Sequence, residues 1–224
     1  MNILKSFLTT TRVTGLLYLG LALSGIVSFL FAKNQIYIDN NAATTFTNLI
    51  EKESLARFGL ASELALVAFQ ALSAIWFYKL FKMKDSVAAG MLTAFGLINA
   101  TAILISSAFW LSALNAAMAG ESANIAYYLF NIHESIWLVS NIFFGLWLLP
   151  MGYLANKAKM PRALTGLLFA GGIGYILAAF LLVLLPGQKA IIDLLPIPAT
   201  VGEFWMIGYL FAKSKIDEQI VVMQ

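Results

Sequence analysis

An all-α, polytopic integral membrane protein with six transmembrane helices and both termini cytoplasmic is the fold this sequence predicts, and three observations predict it. Hydrophobic residues fill 61% of the 224 positions and charged residues only 11%, far from the usual composition of a soluble domain. The apolar residues fall into six runs, each about as long as or longer than the roughly 20 residues that cross a bilayer. The cations gather in short clusters between these runs, as topology signals do, instead of forming the stripe that binds nucleic acid. No nucleic-acid partner is expected, and the lipid bilayer is the main solvent. The absence of cysteine excludes disulfides, thiolate catalysis and iron–sulfur clusters. A single histidine excludes a multi-histidine metal or haem site within one chain, and no cofactor or metal is expected.

Lys5 and Arg12 precede the first run, VTGLLYLGLALSGIVSFLFA, which ends at Lys33. A cleaved signal peptide would have a shorter apolar core and a small-x-small end; SFLFAK reads as a retained helix. Gly20, Ser24, Ser28 and Ala32 recur every four residues and invite a close neighbour. Residues 34–58 form a polar outer connection in which Ala42, Phe46, Leu49, Ile50 and Glu53 fall at helical spacing after the capping candidates Asn40 and Asn41. This stretch reads either as a short interfacial helix or as an ordered loop.

The second run, 59–82, carries Glu63 and Gln70 seven residues apart on one face. The third, from Ser86 to about Ala119, is longer than a bilayer requires and must tilt, kink or protrude. Asn99, Ser106 and Trp110 lie near one of its faces. The fourth lies within Asn131 to Arg162 and aligns Glu134, Asn141, Gly145 and Gly152, with His133 at its outer end. Pro150 removes a backbone donor, so a kink or local break is expected there. The fifth, 163–185, carries a second small-residue stripe of Gly166, Ala170, Gly174 and Ala178, and ends at Pro186 and Gly187. The sixth begins near Leu194 or Pro196, contains Glu203 and runs to Lys213. The whole is a single six-helix membrane domain, 1–224, in which a weak echo between the openings at Arg12 and Arg162 suggests a parallel duplication.

Ten of the fourteen cations (Lys5, Arg12, Lys79, Lys82, Lys84, Lys157, Lys159, Arg162, Lys213 and Lys215) fall on the segments that share a side with the termini. The positive-inside rule makes that side cytoplasmic.

Depth follows from counting back from each basic end at roughly 1.5 Å per residue. Glu203 falls about 15 Å deep, near the middle of the core, and Glu63 about 24 Å. Asn99 is central, Asn141 matches Glu63, and His133 and Glu134 fall at or beyond the outer boundary. A charge at mid-bilayer costs about 2.5–3.5 kcal/mol on insertion scales, so an intramembrane glutamate marks a functional site by default. The alternative is a packing residue held by one hydrogen bond. His133 and Glu134 point roughly 100° apart on a helix and could share an ion only with help from another helix, such as one carrying Glu63 or Glu203. The candidate ligand-binding residues are Glu63, Asn99, His133, Glu134, Asn141 and Glu203.

FFGLWLLPMGYLANKAKMPRALTGLL at 143–168, with RVTGLLYL at 12–19, NNAATTFTNLIEKESLARFGLASEL at 40–64, YKLFK at 78–82 and GEFWM at 202–206, resembles the bacterial membrane proteins grouped as domain of unknown function 4386. Asn40 stands where that family leads one to expect aspartate, and KAKM replaces its basic-Ser-Gly-Phe approach to the proline. The resemblance implies a six-span protein of the bacterial cytoplasmic (inner) membrane and brings no catalytic residues. Three functions compete. The favoured one is small-molecule or lipid binding and transport through a polar pocket in the central-to-outer half of the bundle. The others are a membrane-embedded enzyme using a buried glutamate, and a non-catalytic partner or scaffold that forms oligomers through its small-residue faces.

Overall fold

An apolar run in hydrocarbon must close its backbone N–H and C=O groups internally, which a helix does. The computed structural model describes residues 9–185 and 187–213, and among them every regular element is helical. In chain order these are α1 (Thr10–Ile36), the short α2 (Ala42–Glu51), α3 (Glu53–Phe81), α4 (Ser86–Met118), α5 (Ala123–Lys157), α6 (Arg162–Leu184), α7 (Lys189–Leu194) and α8 (Ile197–Ala212). Six stretches are long and apolar enough to cross a membrane: α1, α3, α4, α5, α6, and the 24 residues Lys189–Ala212 that join α7 to α8. The protein is an all-α, multi-pass membrane protein. Lys5, Pro186 and Lys215 lie outside the described residues.

Local chemistry explains the boundaries. Asn41 caps α2, its side chain accepting the Thr44 N–H at 2.9 Å. Asn40 takes a left-handed φ of 55°, a region that asparagine tolerates better than most residues. The helix buries Thr45 and Leu49 and leaves Ile50 exposed. α3 starts at Glu53, earlier than the apolar run alone predicts, because Glu53 suits a helix N-terminus and pairs with Arg57 one turn on at 2.7 Å. α5 runs unbroken through Pro150; losing one hydrogen bond does not outweigh the others of a 35-residue helix. In α1 the segment Ile26–Lys33 is π-helical. Its i→i+5 bonding brings Ser28 and Lys33 toward one face, whereas α-helical geometry would set them roughly 140° apart.

Backbone contacts divide the chain into two compact units. One comprises the described parts of Met1–Leu19, Gln70–Asn99 and Ser140–Gln224; the other comprises Gly20–Phe69 and Ala100–Val139. The second unit has a core of Ala32, Ile36, Leu49, Leu60, Trp110 and Phe130 with their neighbours. There the stripe on α1 packs against α3 within the chain. A Cβ at Gly20 would lie 2.6 Å from the Phe69 ring, and one at Gly59 would lie 2.5 Å from the Ala32 Cβ and 2.8 Å from Trp110. In the first unit the stripe on α6 is only half used: Gly174 meets Leu195 and Ala178 is buried, but Gly166 is open and Ala170 exposed. Gly171, one position past Ala170, makes the close approach to Ala199 instead.

Also in the first unit, Asp85 caps α4 by accepting the Ala88 N–H at 3.1 Å. Its other oxygen accepts from Lys157 Nζ at 2.7 Å and Tyr153 OH at 3.1 Å. The Lys157 ammonium, with help from the cap, lowers the Asp85 carboxyl to about 2.

Two predictions follow from this packing. Gly59→Ala should lower the Tm of the purified protein through an overpacking cost of about 1–3 kcal/mol, whereas Gly166→Ala, with no atom in its way, should leave it unchanged or raise it; paired thermal melts distinguish them. For Asp85 the folded-state value lies below its ordinary 3.8, so its contribution is fully present above that value and disappears as pH falls through about 2. The Tm difference between wild type and Asp85→Asn should therefore be constant at neutral pH and close on acidification across that window.

Candidate functional site

Glu63 on α3 and His133 on α5 are both 0% exposed, within two of the long apolar helices. A buried carboxylate demands donors, and four side chains of the second unit supply them. His133 Nε2 lies 3.0 Å from Glu63 Oε2 and 3.2 Å from Oε1. Ser107 on α4 donates to Oε1 at 2.8 Å, Trp137 Nε1 on α5 donates to Oε1 at 3.3 Å, and Ser28 on α1 reaches Oε2 at 3.5 Å.

His133 is held on both sides. Its Nδ1 lies 3.1 Å from Glu134 Oε1, and the other Glu134 oxygen accepts from Lys33 Nζ at 2.9 Å. The Lys33 ammonium also lies 4.8 Å from the centre of the Phe29 ring, which meets Trp137 edge to face. Trp110 and Phe130 wall the imidazole edge-on at 5.2 and 5.1 Å. Ser106 donates to the His133 carbonyl at 2.9 Å.

The result is one chain of groups: Glu63, His133, Glu134, Lys33. A neutral imidazole has a single N–H, yet both ring nitrogens face carboxylate oxygens. Either the ring is an imidazolium or one carboxyl holds a proton. With imidazolium and ammonium cations set against two carboxylates the cluster is neutral overall, which makes burial tolerable. Because the two nitrogens point to different carboxylates, the groups do not converge on one point, and among the described residues no three histidine or acidic side chains form a metal-holding set.

The structure thus joins three of the candidate residues, Glu63, His133 and Glu134. His133 is not the solvated interfacial histidine its position suggests, because α3 supplies a carboxylate to its ring. The other three belong to the first unit. There Glu203 accepts a 2.6 Å hydrogen bond from Tyr18, whose ring packs edge to face on Phe77 and Trp147. Asn141 is half-buried, and Asn99 is fully buried. Both polar atoms of Asn99 and of Gln70, together with Trp147 Nε1 and Ser73 Oγ, have no hydrogen-bond partner among the described residues. A buried polar group left so costs about 1–3 kcal/mol. An apolar groove of about 450 Å³ lies on α6, α7 and α8, lined by Ile173, Leu177, Ile191, Leu194 and Pro198 among others.

Sequence reasoning missed Lys33, Ser107 and Trp137 as site residues. Lys33 reads as the stop after the first run, Trp137 as a packing residue or interface anchor, and Ser107 carries no signal of its own. The one available signal was charge balance, since a buried Glu63 beside a buried His–Glu pair requires another cation nearby.

The cluster predicts strong coupling. His133→Ala should destabilise by roughly 3–5 kcal/mol, because it leaves Glu63 buried without its main partner. In a double-mutant cycle with Glu63→Gln the two effects should be non-additive by more than about 0.5 kcal/mol. Additive losses would mean that the two side chains do not act as a pair.

The family model described as domain of unknown function (DUF4386) matches residues 13–214. No curated protein and no solved structure matches the chain. The family match takes in Glu63, His133, Glu134, Lys33 and Glu203 and reaches all six of the long apolar stretches, so the chain belongs to the DUF4386 family.

Proposed function

We propose that this protein is a carrier that binds a small organic cation and exchanges it for a proton at the Glu63–His133–Glu134–Lys33 cluster. The observation that supports this reading is the imidazole held between two carboxylates inside apolar helices. Intramembrane carboxylate–histidine chains recur as proton relays in pumps and transporters.

Electroneutrality suggests the ligand class. With both carboxylates ionised and both Lys33 and His133 protonated, the cluster carries no net charge. Loss of the His133 proton leaves one negative charge in a medium of low dielectric, where it is expensive. An arriving cation restores the balance, and its departure favours reprotonation. Proton and ligand therefore compete for one unit of charge, which is the requirement for exchange. Trp110, Phe130, Trp137 and Phe29 surround the cluster with aromatic rings, and the Phe29 face already takes the Lys33 ammonium. The same reading keeps both termini in the cytoplasm of a bacterial inner membrane, on the strength of the cation distribution.

The test uses proteoliposomes with an acidic interior and an internal pH dye, to which a panel of amines and quaternary ammonium compounds is added outside. At least one compound should alkalinise the lumen in wild type and in the Asp85→Asn control, and none should do so in Glu63→Gln or His133→Ala. A panel without effect on wild type, or a Glu63→Gln protein that behaves as wild type, would overturn the proposal.

A further inference from the structure

The rings that wall His133 also carry the short helix α2 and the turn before it. Phe130 meets the imidazole edge-on at 5.1 Å and stacks on Tyr37 at 5.2 Å, and Tyr37 stacks in turn on Tyr127 at 5.7 Å. Trp110 and Phe130 share their core with Ile36 of α1 and Leu49 of α2, all 0% exposed. Two side chains of α5 tie the turn down. The Asn40 N–H donates to the Tyr127 hydroxyl at 2.9 Å, and Tyr37 OH, 3.4 Å from that hydroxyl, donates to Asn131 Oδ1 at 3.3 Å.

The other polar contacts of α2 run to the end of α1. Thr45 Oγ1 accepts the Ile38 N–H at 3.0 Å, Asn48 Nδ2 donates to the Ile36 carbonyl at 3.2 Å, and Lys52 Nζ donates to the Gln35 carbonyl at 3.0 Å. Of the ten residues of α2 only Thr45 and Leu49 are buried. A helix this short is marginal by itself, and an element with so few buried side chains opens at a lower free energy than the whole fold. Glu63 and His133 are 0% exposed, so anything that reaches them from the α2 side passes through such an opening.

We propose that α2 and the turn before it form a lid over the Glu63–His133 cluster, latched to α5 by the Tyr127 hydroxyl and opened by local detachment. That the lid admits the exchanged cation rests on the carrier reading; that it opens locally does not.

The chain has no cysteine, so a single introduced one reports on access. Ala113 on α4 belongs to the core that α2 shares, and Ala89 on the same helix is equally buried, at 0% exposed, in the first unit. Ala113→Cys and Ala89→Cys are each made with and without Tyr127→Phe, and their alkylation by N-ethylmaleimide is timed on the full chain in nanodiscs with no cation added. Tyr127→Phe should speed labelling at position 113 by roughly fivefold, the factor one hydrogen bond carries, and leave position 89 unchanged. Equal acceleration at both positions would show a general loss of stability, and none at position 113 would show that the hydroxyl is no latch; either overturns the lid. Ala117→Cys, 2% exposed in the same core, replaces Ala113→Cys if that variant does not fold, and Asn131→Leu is the second latch variant. No transported compound enters these rates, so a failure of the exchange reading leaves them unchanged.

Discussion

The carboxyl group of Glu63 cannot enter an apolar helix bundle without hydrogen-bond partners, and the second unit is arranged around that constraint. The carboxylate draws His133 and Trp137 from α5, Ser107 from α4 and Ser28 from α1. Each contact fixes the rotation of its helix, since a shift of one residue turns a side chain by roughly 100°. His133 then passes the demand on to Glu134, and Glu134 to Lys33. The π-helical segment of α1 fits this logic: Ser28 and Lys33 serve the two ends of the same chain of groups, and only a widened turn sets residues five apart toward one side.

The first unit meets its polar demands differently. Among its described residues, the one glutamate on a long apolar stretch, Glu203, accepts from the Tyr18 hydroxyl. Its other buried polar groups are neutral amides, an indole and hydroxyls, whose burial costs far less than that of a charge. The two units thus have chemistries of different kinds. Charge compensation dominates around Glu63, and neutral donors and acceptors at Gln70, Asn99 and Trp147. The proposed exchange rests on the former, because only groups that gain or lose charge can link the binding of a cation to a proton.

Close helix packing is the frame for both. Glycine against Phe69 in one case and against Ala32 and Trp110 in the other lets α1, α3 and α4 approach within the second unit, and Gly171 and Gly174 do the same for α6 with α7 and α8 in the first. In a bilayer such contacts depend on shape and not on the exclusion of water. A small residue therefore matters only where a partner backbone or ring faces it, which is why Gly171 is in contact and Gly166 is open.

Composition and run length alone determined that the chain is helical, that it has six bilayer-length stretches, and that Glu63 and Glu203 are out of place in them. These properties depend on local hydropathy, which is additive along the chain and legible residue by residue. The helical spacing after Asn40 and Asn41 left a short helix and an ordered loop both open, and the structure decided for α2. Only the tertiary structure decided which polar groups meet. Glu63 and His133 are seventy residues apart, and nothing local to either indicates the other. Lys33 reads as a topology signal until the π-helical turn aims it at Glu134. The depth count set Glu63 level with Asn141, yet the partner of Glu63 is His133, because helix rotation, tilt and backbone irregularity decide contacts and none of them is written in the order of hydrophobic residues.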